Sequence, residues 1–154
     1  MTFTSPLYGY SIAVPAGWSI VAATTPWDGA SAPHNTDSTN DKFGSPSNLS
    51  AWAYAAPSMK SLPGYVEDNV AWILRDHGDT CPATGPETSE DILIDGQAGR
   101  LLLWDCGILI NQAVTVRDGT GYVLMMRDPD VQAATDPDDR EVLDQLIDST
   151  VVEP

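Results

Sequence analysis

One histidine of this sequence lies close to two carboxylates, in a stretch of chain with few apolar residues. His34 is followed by Asp37 and Asp41. A histidine beside a carboxylate can transfer protons, and the same residue types bind divalent metal ions that activate water. The spacing supports one hypothesis, a metal-dependent hydrolase using His34 with Asp37 or Asp41. The competing interpretation is a solvated loop without chemistry, which we favour because no nucleophile motif lies beside His34.

Two Asp-Pro-Asp segments near the C-terminus resemble calcium ligands at first. They are Asp128-Pro129-Asp130 and Asp136-Pro137-Asp138. Calcium needs oxygen ligands around a flexible turn, and the proline within each segment restricts that turn. A helix start explains the second segment, with Asp136 as N-cap and the next acids complementing the helix dipole. We therefore expect a capped helix, with a divalent ion as the alternative.

The two cysteines, Cys81 and Cys106, match neither a CxxC motif nor a zinc-ligand set. Three interpretations stay open: a disulfide, two buried thiols, or one reactive thiol. A disulfide would indicate an oxidising compartment, whereas free thiols would indicate the cytoplasm. We expect either a cytoplasmic protein that begins at Met1 or a mature domain, such as a sensor or accessory domain, excised from a longer surface or secreted protein.

Large aromatic side chains flank a long polar segment that spans residues 28–48. Trp18 lies on a predicted strand before this segment, and Trp27 follows a proline directly before the segment begins. Such rings either fill a core or line a ligand pocket. We predict that a protein segment or small ligand binds beside this loop, with Trp18, Trp27, His34 and Asp37 as the binding residues and with no cofactor.

The charge of the chain excludes several classes of partner. It contains 22 Asp plus Glu and 7 Lys plus Arg, for a formal net charge of -15. Nucleic acids and anionic membranes are bound by clustered cations, which this sequence lacks. It also lacks an apolar run long enough to insert into a membrane. A partner selected by net charge should be neutral or basic.

The hydrophobic pattern predicts strands, a helix, a strand meander and a second helix. Alternation predicts early strands around residues 8–14, 18–22 and 48–56. Pro63 near the start and Gly78 as a C-terminal stop bound a helix over 63–78, whose apolar face is Val66, Val70, Ile73 and Leu74. Asp95-Gly96 and Asp118-Gly119 predict hairpins, with Gln112 interrupting the strand between them. This order predicts one α+β domain over residues 1–154, an antiparallel sheet covered by helices.

The segment Tyr8-Gly9-Tyr10-Ser11-Ile12-Ala13-Val14-Pro15-Ala16-Gly17-Trp18 resembles the start of PsbP-like domains. That fold is shared by a yeast Ran-binding nuclear import factor and by actinobacterial LpqN-type lipoproteins. The resemblance implies an α/β/α sandwich over nearly the whole chain, a bacterial origin of actinobacterial type, and non-enzymatic binding or scaffolding. It supplies no catalytic residues, and a shared fold does not by itself transfer a partner.

Overall fold

The computed structural model describes residues 1–153 and contains ten strands and two helices. The strands are β1 (Thr2–Thr4), β2 (Tyr10–Ala13), β3 (Ser19–Val21), β4 (Asp41–Gly44), β5 (Ser50–Pro57), β6 (Thr88–Ile94), β7 (Gln97–Asp105), β8 (Leu109–Arg117), β9 (Thr120–Asp128) and β10 (Val151–Val152). The helices are α1 (Leu62–His77) and α2 (Pro137–Ser149). Within residues 1–153, neither helix is long and apolar enough to cross a membrane.

The centre of the fold is a seven-stranded antiparallel sheet in the order β3-β4-β5-β9-β8-β7-β6. A smaller sheet, β1-β2-β10, lies beside α2. Helix α1 contacts β7 and β8, whereas α2 contacts β2 and β9. Because side chains alternate across a sheet, the central strands bury apolar residues on both faces. The prediction of an α+β fold with an antiparallel sheet is confirmed.

The meander turns follow the Asp-Gly pairs of the sequence. Asp95 and Gly96 have φ of 50° and 74°, and Asp118 and Gly119 have φ of 49° and 81°. Two successive positive φ values match the twist of a two-residue hairpin, which explains why Asp-Gly stands at both turns. One detail of the prediction was wrong: β8 continues through Gln112, whose side-chain oxygen accepts a 2.9 Å hydrogen bond from the Trp104 indole.

Helix α1 has the predicted length but a rotated buried face. Its fully buried residues are Tyr65, Asn69 and Ile73, whereas Val66, Val70 and Leu74 are only half-buried. The Tyr65 ring covers Gly121 of β9, where an added Cβ would lie 2.3 Å from the ring, so the close approach needs glycine. Gly78 has φ of −64°, so the helix does not end on the left-handed glycine that the sequence suggested.

Helix α2 begins as the sequence predicts. The Asp136 carboxylate accepts backbone N–H bonds from Asp138 at 3.0 Å and Asp139 at 3.1 Å. These bonds satisfy two of the N–H groups that every helix start leaves unpaired. In the other Asp-Pro-Asp segment, the Asp128 carboxylate accepts the Asp130 N–H at 2.9 Å. Both segments thus use a carboxylate oxygen to hold the backbone.

The segment 28–48 is more ordered than a surface loop. Residues 41–44 form β4, which pairs with β3 and β5 and buries Phe43. Ala32 and Asn40 are also buried. The prediction of an uninterrupted loop was wrong because the pairing partners of β4 are supplied by distant strands, which local sequence does not report.

One carboxyl group of α2 is placed where it resists ionisation. Asp139 is 7% exposed. Burial, followed by the neighbouring Asp128, raises the pKa of Asp139 to about 7. In an unfolded chain an aspartate ionises near pH 4. Between these two values the folded state keeps a proton that the unfolded state has lost, so the free energy of unfolding falls as the pH rises.

We expect Asp139→Asn, which cannot ionise, to raise the free energy of unfolding more at pH 8 than at pH 5, with a difference between the two gains of about 1 kcal/mol or more. Urea unfolding followed by circular dichroism at both pH values measures the difference. Glu141→Gln, at an exposed position of the same helix, is the control and should show no such pH-dependent gain. Equal effects of Asp139→Asn at the two pH values would contradict this account of the carboxyl group.

Candidate functional site

Two adjoining cavities open on the sheet face that carries α1. The larger, about 410 Å³, is lined by His34, Asn35, Trp52, Ile73, His77, Thr80, Cys106, Ile108, Ile110, Met125 and Arg127. The smaller, about 230 Å³, is lined by Ser19, Val21, Asn35, Lys42, Phe43, Gly44, Ser50, Ala51 and Trp52. Asn35 and Trp52 line both cavities. We call the two together the α1-face groove.

Strand register brings the polar residues of the groove to one face. Lys42 of β4 lies opposite Trp52 of β5, and Arg127 of β9 lies opposite Ser50, two residues from Trp52. Directly opposite residues and residues two apart project from the same face of a sheet. The Trp52 indole is therefore flanked by a lysine on one neighbouring strand and an arginine on the other.

The segment around His34 forms the far wall of the groove. Hydrogen bonds to the backbone of His34 hold this segment in place. The Asp37 carboxylate accepts the His34 N–H at 2.8 Å, and the Asp37 N–H donates to the His34 carbonyl at 3.0 Å. The amide of buried Asn40 also donates to that carbonyl. These bonds hold the backbone and leave the imidazole free to contact α1.

The His34 imidazole packs edge to face on His77 in the last turn of α1, with ring centroids 4.7 Å apart. Burial lowers the pKa of His77, and nearby His34 lowers it further, while Asp76 opposes the shift. His77 is thus held toward its neutral form near pH 7. A neutral imidazole offers one hydrogen-bond donor and one acceptor to the groove.

Most lysine and arginine side chains of this protein form ion pairs with carboxylates, but two among the described residues do not. Five of the seven lysines and arginines pair with carboxylates. In the part of the chain that the structure describes, Lys42 and Arg127 have no ion pair, and both line the α1-face groove. In a protein of net charge -15, this concentration of unpaired positive charge marks the groove off from the rest of the surface.

Two hydrogen-bond donors of the groove are also unused. The Trp52 indole N–H and the Ser50 hydroxyl are buried without a partner among residues 1–153. Buried polar groups are nearly always hydrogen-bonded, because an unmet donor costs about 1 to 3 kcal/mol. The Trp52 and Ser50 donors belong to a larger set of buried polar atoms without a partner among residues 1–153, and are the members of that set whose residues line the α1-face groove.

A disulfide joins the groove to the end of α1. Cys81, in the turn after α1, is bonded to Cys106, which lies between β7 and β8 and lines the larger cavity. Both cysteines are consumed by this bond. The bond ties the turn after α1 to the sheet and so fixes the separation of His77 from the groove floor.

The structure distributes the residues predicted from sequence over several environments. His34 lines the groove, and Asp37 holds the His34 backbone. Trp27 is buried between Tyr54 and Trp72, with ring centroids 4.7 and 5.6 Å away, and borders a separate cavity of about 250 Å³. Trp18 is half-buried against the core, outside both cavities of the groove.

Sequence reasoning missed Lys42, Ser50, Trp52 and Arg127. The alternation over residues 48–56 predicts a strand but does not say that the face carrying Ser50 and Trp52 borders a groove. One sequence feature could have indicated Arg127: it is a charged residue directly after the apolar run Val123-Leu124-Met125-Met126. Only the register shows that it lies near Lys42.

The residues proposed for hydrolase chemistry do not converge. Asp41 is fully buried, with its two oxygens accepting the Ala23 N–H and the Tyr10 hydroxyl, each at 2.7 Å. Asp37 is engaged with the backbone. No cluster of three or more His, Cys, Asp or Glu side chains able to hold a metal ion occurs among the described residues. The geometry therefore does not support a catalytic role for His34 with Asp37 or Asp41.

Comparison with known proteins identifies the fold. No family model matches the sequence, and no curated protein matches it. The solution structure of cyanobacterial PsbP (CyanoP) from Synechocystis sp. PCC 6803 aligns with a TM-score of 0.66 at 13% identity, covering 99% of this chain and 91% of that one. A crystal structure from Bacteroides thetaiotaomicron VPI-5482 aligns at 13% identity over 99% of this chain and 48% of that one, with a TM-score of 0.44, too low to support an argument. The chain has a PsbP-like fold.

Proposed function

We propose that this PsbP-like domain is a non-enzymatic binding module of bacterial origin, and that a small ligand or protein segment binds in the α1-face groove. Of the residues expected to bind beside the 28–48 segment, His34 lines this groove, whereas Trp18, Trp27 and Asp37 do not. The observation that carries the proposal is that Lys42 and Arg127, the cations without an ion pair among residues 1–153, both line this open groove.

The size and lining of the groove support a ligand. A cavity of about 410 Å³ is in the range that small-molecule sites occupy, and its walls combine apolar side chains with a few polar groups. The cysteine that lines the groove is held in a disulfide, so its sulfur is not available as a nucleophile. These features support binding, rather than catalysis, as the proposed role of the groove.

A screen of small aromatic acids, amines and neutral compounds by two-dimensional ¹H–¹⁵N NMR tests this proposal. We expect the compounds that bind to shift the Trp52 indole N–H signal. Asn35→Trp places a large ring where the two cavities meet and should abolish those shifts. Exposed Thr36→Trp, one residue away and outside the lining, is the matched control and should retain them. Binding that survives Asn35→Trp, or that shifts other indoles instead, would refute the proposal.

The alternative of an accessory domain from a longer surface protein is compatible with the same site. The disulfide favours it, because such bonds persist in oxidising compartments. Intact-mass measurement of the native protein distinguishes a free-standing chain from a domain of a larger one.

A further inference from the structure

We propose that the α1-face groove recognises a carboxylate carried on an apolar body, held between the Arg127 guanidinium and the Lys42 ammonium over the Trp52 indole. This inference rests on the proposed function and names the ligand class for the same site.

The geometry of the two cations supports a bridging anion. Strands β4 and β9 both pair with β5, so Lys42 and Arg127 are separated by a single strand. With strands about 4.8 Å apart and a rise of about 3.4 Å per residue, their Cα atoms lie about 12 Å from each other. Both side chains are long enough to converge on a group bound above β5. The chain has 22 acidic residues, yet none of the described ones forms an ion pair with Lys42 or Arg127. This pair of cations is therefore suited to an external anion.

The unused donors select for an acceptor. The Trp52 indole has only an N–H to offer, and arginine and lysine side chains have donors and no acceptors. The Trp52 N–H is shielded from solvent, so the donors that a ligand in the groove meets first are those of Lys42 and Arg127. A carboxylate is an acceptor-only group with two oxygens, whereas a cationic ligand would leave every one of these donors unmet. The groove therefore favours an anion over an amine.

The remaining lining favours an apolar body on that anion. Ile73, Ile108, Ile110 and Met125 line the larger cavity around Arg127. Burying an aromatic or aliphatic group against them adds a favourable hydrophobic contribution that a bare inorganic anion cannot make. A guanidinium binds both carboxylate and phosphate through paired N–H groups. The apolar lining should therefore be what makes the groove bind an aromatic acid more tightly than inorganic phosphate.

This assignment applies to one groove within an acidic surface. The net charge still predicts that the rest of the protein repels acids and associates with neutral or basic partners. Asp76 follows Arg75, which donates to its carboxylate at 3.0 Å, and Asp37 is bonded to the backbone. The carboxylates nearest the histidines are thus already engaged.

The test uses NMR titration of the full chain with defined probes. The probes are 3-phenylpropionate, its neutral analogue 3-phenylpropionamide, inorganic phosphate, and the peptide Ala-Ala-Phe with a free or an amidated C-terminus. Signals from the Trp52 indole N–H and the Arg127 side-chain N–H report binding. The free acid represents a small-molecule source of the carboxylate, and the peptide represents a protein C-terminus.

The proposal predicts that at least one free carboxylate binds at least about tenfold more tightly than its amide and than phosphate. Arg127→Met should weaken that binding by about tenfold or more, and Lys42→Met by several-fold. Arg100→Met removes the same charge from a cation that pairs with Asp91 on β6, and should change the affinity by less than about twofold. Retained dispersion of the amide spectrum shows that each variant is folded.

Equal affinities for acid and amide, or equal effects of Arg127→Met and Arg100→Met, would overturn carboxylate recognition while leaving a ligand-binding groove intact. The absence of any Trp52 shift with all of these probes would overturn it as well. By contrast, if the compounds found in the broader screen bind equally well to Asn35→Trp, the proposed function itself is refuted. The two failures are therefore distinguishable.

Discussion

Asp41→Ala should lower the free energy of unfolding by about 3 to 5 kcal/mol, because it leaves two buried donors unpaired. The Asp41 carboxylate is fully buried and accepts the Tyr10 hydroxyl from β2 and the Ala23 N–H after β3. It therefore joins the small sheet to the edge of the large one. Urea unfolding at pH 7, followed by tryptophan fluorescence, measures the loss.

Asp37→Ala is the matched control for this prediction. Its carboxylate makes one bond to the His34 N–H at a half-buried position, so the expected loss is about 1 kcal/mol. Tyr10→Phe should fall between the two, because it removes a single donor. A loss below about 1 kcal/mol for Asp41→Ala would contradict the structural role and return Asp41 to the list of residues available for chemistry.

The second large effect is expected at the disulfide. Cys81 and Cys106 are separated by 25 positions, and in the chain-entropy treatment a bond across that separation stabilises the fold by about 3 kcal/mol. The double variant Cys81→Ala/Cys106→Ala should lose about that amount in urea unfolding. Wild-type protein measured with a reductant should lose a similar amount, whereas the reductant should leave the double variant unchanged.

The same bond has a consequence for the groove. Because it anchors the turn after α1 beside the cavity, the double variant should also bind groove ligands more weakly than the wild type. Thiol titration of protein purified from its natural source, and denatured without a reductant, should find no free thiol. Two free thiols in that assay would contradict the disulfide and would favour a reducing compartment.

Local sequence was sufficient where local interactions decide the structure. The Asp-Gly turns, the Asp136 cap and the limits of α1 each depend on a few neighbouring residues, and all were predicted. The opening pattern from Tyr8 to Trp18 suggested the PsbP-like fold, which the likeness to CyanoP confirms.

The rest depends on contacts between distant segments. Strand β4 is four residues long and gains its stability from β3 and β5 on either side, so its own sequence resembles a loop. The buried face of α1 is rotated because the Tyr65 ring needs the space over Gly121. The site escaped prediction for the same reason: Lys42 and Arg127 come close only through the register of three strands.

The most direct test of the central claim is the set of intermolecular NOEs from a compound that binds in the screen. The proposal predicts NOEs from the bound compound to the Trp52 indole and to the methyl groups of Ile110, lost in Asn35→Trp and kept in Thr36→Trp. NOEs that instead place the compound against Trp27 and Trp72, or on residues outside the α1-face groove, would contradict it.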